Sequence, residues 1–477
     1  MTERWSSRLG FLLAAIGAAV GLGNIWRFSA VVGTNGGGAY LVPYLLAAFV
    51  FAVPLMILEL AVGRRFRVDV VSAFRRVRRE FTVLGWIVSG IVVMILSYYL
   101  VLTGWVLAFF LDALTGGGLT FGTFTRTLAP IGFFVVSTVV TGVIVSFGVR
   151  DGIERLSSLV MPVIFLLLVA LAGYATTLPG FGRALSFLFS PDLSVLADPL
   201  IWSAAFGQVF FSFSVGQGIM LTYGSYLAEE TNLPRSALAI AVADIAVAIL
   251  AGLVIFPIVF SVGLEPALGT ELAFTTLPRA FGEMPFGAVV GVAFFGLLFF
   301  AALTSAVSLL EVGVAPVVAS TRFDRRGATV LLTALVFVIG LPSALSYTAV
   351  DLTVDGVRVL DFMDETVGTL GLPVTAVLIS LVFGWSQDRE TLVDQLGVAV
   401  AVPLVRVVIP LVLVAVTAVK LLGPDIPAWH LVPAAAGAVG GLVEAGGTAL
   451  EVALLAVVGW ILLKRLRYRR NNREGRR

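Results

Sequence analysis

The chain has 477 residues, of which 59% are hydrophobic and 13% charged, with a mean hydropathy of +1.04 and a net charge of +2. A soluble globular chain carries about 25% charged residues, so this composition excludes a soluble protein and points to a polytopic membrane protein. Cysteine is absent, which excludes a disulfide framework and a thiolate metal site.

Apolar runs recur at 9–32, 39–63, 82–114, 129–147, 157–178, 198–225, 236–262, 286–319, 328–348, 362–384, 400–422 and 446–464. Each is near or above the ~20 residues needed to cross a bilayer, giving an all-α protein of about twelve spans. The first run is too long and glycine-rich for a signal peptide. The Ala/Gly-rich stretch 431–446 could be re-entrant, and the single histidine, His430, reads as a loop or interfacial residue beside Trp429.

Arginine sets the orientation. Arg4 and Arg8 precede span 1; Arg64, Arg65, Arg67, Arg75, Arg76, Arg78 and Arg79 lie between spans 2 and 3. Arg150 and Arg155, then Arg235, then Arg322, Arg325 and Arg326, then Arg389 follow in alternate loops, and a basic tail begins at Lys464. The opposite loops hold Arg126, Arg183, Arg279 and Arg358. By the positive-inside rule both termini are cytoplasmic.

Two apolar spans contain the same pattern: Val20-Gly21-Leu22-Gly23 in span 1 and Val215-Gly216-Gln217-Gly218 in span 6. Glycine costs about 1 kcal/mol against alanine inside a helix, so paired glycines suggest helices broken at mid-depth. Broken backbone is tolerated in a membrane only where it lines a cavity or binds something. Spans 1–5 (residues 1–178) and spans 6–10 (179–384) each begin with such a helix. Five is odd, so the second unit enters from the opposite side, as an inverted repeat. Residues 385–477 add spans 11 and 12 and the tail.

The residues around the breaks carry more. Span 1 reads Gly17-Ala-Ala-Val-Gly-Leu-Gly-Asn24-Ile-Trp-Arg27-Phe28. Span 6 reads Gln208-Val-Phe-Phe211-Ser212-Phe-Ser214-Val-Gly-Gln-Gly218, and span 8 carries Ala301-Ala-Leu-Thr304-Ser305. From Trp5 to about Trp385 the chain closely resembles the neurotransmitter:sodium symporter family, in particular its prokaryotic LeuT-type amino-acid transporters.

The resemblance implies a LeuT-type 5+5 inverted repeat in the inner membrane of a prokaryote, and two sodium sites. The first would take the carbonyl of Ala19 with Asn24, Ser212 and Asp244. The second would take the carbonyls of Gly17, Val20 and Ala301 with the hydroxyls of Thr304 and Ser305, although a lone Thr-Ser pair usually bonds back to its own helix. Substrate would lie among Ala18, Ala19, Leu22, Gly23, Ile95, Tyr99, Phe211, Ser212, Ser214, Gln217, Ser305, Ala306 and Leu309. Tyr99 matches the family tyrosine that binds the substrate carboxylate. Gly21 stands where amine-transporting members have aspartate, which implies a substrate bringing its own carboxylate. Gln217 departs from the family's usual aromatic residue or methionine.

Asp244 lies in an otherwise apolar span, where a carboxylate costs at least about 2.5–3.5 kcal/mol and needs a partner. Most relatives have asparagine here, and chloride-dependent ones have serine where this chain has Ala248. The resemblance therefore implies sodium coupling without chloride. It also pairs Arg27 with Asp364 as an outer gate, with Tyr99 and Phe211 as the lid beneath. At the inner gate the family's arginine would fall at Thr2 and its acid at Ala319, so both are missing. Trp5 remains, and Arg4 with Asp324 is a possible replacement. Glu59 reads as a helix–helix bond and Glu311 as a residue of the cytoplasmic pathway.

Other functions fit less well. A proton-coupled transporter of the same fold would place a lysine in span 5, and 157–178 contains no charged residue. A channel filter uses rings of equivalent carbonyls or charges, whereas these breaks are unequal. An enzyme would need a nucleophile with a base, and the spans hold no histidine or cysteine. The expected partners are an amino acid and the lipid bilayer, with no nucleic acid.

Overall fold

The computed structural model describes residues 3–190, 192–264 and 272–422. Its helices belong to one compact unit, Met1–Val416; of the second, Thr417–Arg477, only the end of helix Ile409–Leu422 is described. His430, the stretch 431–446, span 12 at 446–464 and the basic tail lie outside the described residues.

Span 1 is two helices, α1 (Arg8–Ala19) and α2 (Gly23–Thr34), bent by 53°. Spans 2 to 5 are α3 (Gly37–Phe66), α4 (Arg79–Leu114), α5 (Ala129–Ser146) and α6 (Val149–Ala175). Span 6 is again two helices, α7 (Pro199–Ser212) and α8 (Ile219–Ser225). Spans 7 to 11 are α9 (Leu233–Ser261), α10 (Gly287–Ser320), α11 (Arg325–Leu345), α12 (Val359–Ser386) and α13 (Ala401–Ala418). A short hairpin, β1 (Thr353–Val354) and β2 (Val357–Arg358), precedes α12.

Helix starts carry side-chain caps where polar residues meet apolar runs. Ser7 accepts from the Gly10 N–H, Asn232 from Arg235, and Asp324 from Gly327. These satisfy donors that lipid could not. α4 and α10 are apolar on every face and mostly buried, forming the centre. α5, α6 and α11 turn large apolar side chains outward, among them Val139, Leu166 and Val338, as lipid-facing helices do.

Span 2 meshes with α8 backbone to backbone. A Cβ at Gly63 would approach the Ser225 nitrogen to 2.8 Å, and one at Gly224 would approach the Leu60 oxygen to 2.6 Å. Only residues without side chains allow helices this close.

Candidate functional site

The first break begins where the Val20 N–H makes the last bond of α1, to the Ile16 carbonyl at 2.7 Å. Val20 itself is extended, with φ −73° and ψ 107°. The Gly21 N–H then donates to the Asn24 Oδ1 at 3.1 Å, so a side chain replaces the missing helical acceptor. A Cβ at Gly21 would meet the Ser305 hydroxyl at 2.6 Å and the Tyr99 hydroxyl at 2.9 Å. Aspartate there would not fit.

The second break uses left-handed backbone at Ser214 (φ 52°), Gly216 (φ 82°) and Gly218 (φ 71°). Three such residues in five cannot continue a helix, and glycine adopts this region without penalty. The freed Gly216 N–H donates to Glu59 Oε1 at 2.6 Å. Glu59 is the expected helix–helix bond, and what it secures is the broken backbone. The Ser214 hydroxyl donates to the Ala18 carbonyl at 2.8 Å, tying one break to the other.

Asn24, Ser212 and Asp244 form one buried cluster. The Asn24 amide donates to Asp244 Oδ1 at 2.7 Å and to Ser212 Oγ at 2.8 Å, and Ser212 Oγ donates to Asp244 Oδ2 at 2.8 Å. Asn24 and Asp244 are fully buried. Among the described residues no basic side chain forms an ion pair with Asp244. A buried carboxylate held only by neutral donors calls for a cation or a proton. Ala19 stands beside this cluster and lines the cavity with Ser212.

The second oxygen-rich spot surrounds Ser305. Its hydroxyl lies 3.3 Å from each of the carbonyls of Gly17, Ala18 and Val20. One hydroxyl proton cannot serve three carbonyls, so acceptors outnumber donors. Thr304 abuts Gly17, where a Cβ would come within 3.3 Å of its own. The Thr304 hydroxyl donates along its own helix to the Ala301 carbonyl at 3.0 Å. The residues expected for the second sodium are thus brought together, all with hard oxygen donors suited to an alkali cation.

Between the two spots lies a small cavity of about 30 Å³, lined by Ala18, Ala19, Gly21, Gly23, Ile95, Tyr99, Phe211, Ser212, Ser214, Gln217, Ser305 and Leu309. Leu22 departs from the expectation. It gives its backbone N–H to the Tyr99 hydroxyl at 3.3 Å, and Gly21 takes its place in the wall. Ala306 is buried outside the lining. The Gln217 amide nitrogen reaches the Phe211 carbonyl at 3.5 Å, the limit of a hydrogen bond.

At the expected outer gate the Arg27 guanidinium lies over the Phe211 ring, 4.6 Å from its centroid. The expected ion pair is not made: among the described residues none joins Arg27 to Asp364. Arg27 spends its charge on the aromatic face, while Asp364 and the Tyr98 hydroxyl both crowd Gly368. At the expected inner gate Arg4 and Asp324 do not replace the missing pair: among the described residues no ion pair joins them, and Asp324 caps its own helix at Gly327. Trp5 donates from Nε1 to the Tyr223 carbonyl at 3.0 Å and packs edge-on against that ring.

Two residues join the site whose roles the sequence did not assign. Gln208 donates to the Gly23 carbonyl at 2.7 Å, linking α7 to the first break, and its buried Oε1 has no hydrogen-bond partner among the described residues. Tyr44 turns its buried hydroxyl toward Asp244 and Ser212 without completing a well-formed hydrogen bond. A glutamine inside an apolar run was a usable signal for the first; a tyrosine among aromatics was none for the second.

Similarity to known proteins identifies the family. The sequence profile described as the Sodium:neurotransmitter symporter family matches residues 2–127 and 131–426. An uncharacterized sodium-dependent transporter of Bacillus subtilis is 35% identical over 406 residues, covering 82% of this chain and 90% of its own. The sodium- and chloride-dependent GABA transporter 2 of Rattus norvegicus is 27% identical, covering 83% and 75%. Among solved structures, MhsT in complex with L-phenylalanine superposes with a TM-score of 0.81 at 38% identity, over 87% of this chain and 99% of that one. The all-α LeuT-type fold is therefore established, and the protein is a sodium-coupled membrane transporter rather than an enzyme. Two broken spans facing one another across oxygen-rich spots, on a scaffold shared with these relatives over most of its length, place the chain in the sodium:neurotransmitter symporter family.

Proposed function

We propose that this transporter imports a neutral L-amino acid together with sodium, without chloride, into a cell whose cytoplasm holds both termini. The observation that carries the reading is Asp244, buried with Asn24 and Ser212 and without a basic partner among the described residues. A fixed carboxylate supplies the negative charge that a bound chloride would otherwise give. A sodium ion bound beside this cluster would be met by Asp244 and by the substrate carboxylate. As it stands, the Asn24 amide offers N–H to Asp244. For sodium to bind, Asn24 would turn its oxygen inward.

The substrate carboxylate would sit at the N-terminal end of α2, where free N–H groups and the helix dipole favour an anion. Tyr99 would donate its hydroxyl to it. The side chain would enter between Ile95, Phe211, Gln217 and Leu309. The cavity is too small for most side chains as it stands, so Phe211 and Gln217 would move aside. MhsT was solved with phenylalanine, which supports an amino acid as cargo.

Transport would follow alternating access. Sodium and substrate bind from outside, the aromatic lid closes, and the unit of spans 1, 2, 6 and 7 tilts against the rest. Release of the ion near Thr304 then opens the inside. Uptake in proteoliposomes under a sodium gradient, with a competition panel of amino acids and with chloride replaced by gluconate, tests this. Sodium-dependent uptake at full rate in gluconate is expected; a sharp fall there would sink chloride independence.

A further inference from the structure

On the side of the molecule away from the arginine-rich loops lies a second, larger cavity of about 740 Å³. Small-molecule sites typically enclose about 300–1,000 Å³. Its walls are the last turns of α4, the loop 116–122, the segment 272–282 and the first turns of α10. It shares no lining residue with the cavity between the two breaks.

The backbone keeps this space open. Gly116, Gly117 and Gly118 have φ of 112°, 74° and 134°, and a Cβ on any of them would meet nothing within 4 Å. All three are exposed, so the cavity reaches the surface here. Across from them α10 begins with glycines that seat Phe281. A Cβ at Gly291 would stand 3.4 Å from its ring, and one at Gly287 would overlap its carbonyl.

The loop is wound around Asp112. The Gly117 N–H donates to the Asp112 carbonyl at 2.9 Å, and the Leu119 N–H donates to its Oδ2 at 3.1 Å. The carboxylate is thereby held in place, and among the described residues no basic side chain forms an ion pair with it. The other charged residue of the lining, Arg279, donates to Glu283 at 3.3 Å and is 69% exposed. Asp112 is left as the unbalanced charge of the wall.

The rest of the wall is largely aromatic. Phe274 stacks on Phe121 at 5.6 Å and packs against Phe109 at 5.2 Å, and Phe109 lies 5.4 Å from Phe295. Ring faces attract an organic cation, and an apolar wall takes its hydrocarbon part. An anion would be repelled by Asp112, and a neutral ligand would leave the carboxylate unanswered.

We propose that this cavity binds a lipophilic organic ammonium, its charged head beside Asp112 and its hydrocarbon part among Phe109, Phe121 and Phe295. Phe274 also meets the Trp26 ring at 5.9 Å, next to Arg27. An occupied cavity therefore braces the outer half of span 1 and slows transport without entering the transport site. That consequence rests on the alternating access proposed above; the binding does not.

The probe is dibenzyldimethylammonium, whose charge is permanent, and the control is its neutral isostere with carbon in place of nitrogen. Binding is measured by titration calorimetry on the full chain in detergent, with sodium and without any amino acid. The cation is expected to bind saturably. Asp112→Asn keeps an acceptor for Leu119 and should weaken the cation about fivefold, as loss of a half-exposed ion pair implies, with the isostere unchanged. Ala288→Trp, at an exposed lining position, should abolish binding of both. Absence of saturable binding, or cation affinity unchanged in both variants, would overturn the site. So would an equal loss of cation and isostere in Asp112→Asn, the mark of a merely structural role. In proteoliposomes the cation should at least halve sodium-driven uptake by the parent chain and spare Ala288→Trp. Binding with undiminished uptake would overturn the brace. A parent chain without sodium-driven uptake in the absence of probe would instead fault the transport reading, with the binding result standing.

Discussion

Asn24 and Asp244 are 220 residues apart in sequence and share a 2.7 Å hydrogen bond in a fully buried setting. The bond joins the first broken span to span 7, two of the four spans proposed to tilt together. The same carboxylate accepts from the Ser212 hydroxyl of α7 at 2.8 Å, so three spans meet at it.

Replacing Asp244 by alanine removes the proposed fixed charge. Breaking a buried charged set costs about 3–5 kcal/mol, so sodium-driven uptake in chloride-free buffer should fall more than tenfold. Added chloride should restore part of it. Labelled-substrate uptake in proteoliposomes measures both arms, and normal uptake by the variant in gluconate would refute the ion assignment.

Ser305→Ala removes the one hydroxyl surrounded by three carbonyls. A neutral oxygen ligand is worth about 1 kcal/mol, so the sodium concentration giving half-maximal thermal stabilisation should rise about fivefold. Thr304→Val should add to the effect. An unchanged sodium titration in the double variant would place the ion elsewhere.

Gln217→Met tests the side-chain pocket. Losing the amide should penalise substrates with a hydroxyl or amide and favour apolar ones, shifting their inhibition ratio about tenfold. The competition panel reads this directly. An unchanged ranking would mean that Gln217 does not touch the cargo.

Glu59→Ala strands the buried Gly216 N–H. An unmet buried donor costs about 1–3 kcal/mol, so the unfolding midpoint in detergent should drop by several degrees. Glu59→Gln, which keeps an acceptor oxygen, should recover most of it.

Much of the arrangement was written in residue types that membranes penalise. Glycine pairs, a lone aspartate and a Thr-Ser pair within apolar runs each demand a reason, and the structure brings them to one place. The span limits were equally legible because lipid forces long apolar helices. What stayed hidden depended on rotamers and on the irregular backbone near chain ends. Arg27 and Asp364 have the right charges for a pair, but Arg27 lies over the aromatic face of Phe211 instead. Leu22 lies between cavity-lining glycines, yet break geometry turns its amide to Tyr99. Glu3 carried no motif; only the fold brings it to Arg325.

The mesh of Gly63 and Gly224 has a practical consequence for redesign. With no clearance between span 2 and α8, even one added methyl at either glycine would push apart the pieces that Glu59 pins at Gly216. A library meant to alter what is carried would therefore hold Leu60, Gly63 and Gly224 constant and randomise Ile95, Gln217 and Leu309, where the wall is side chain rather than backbone.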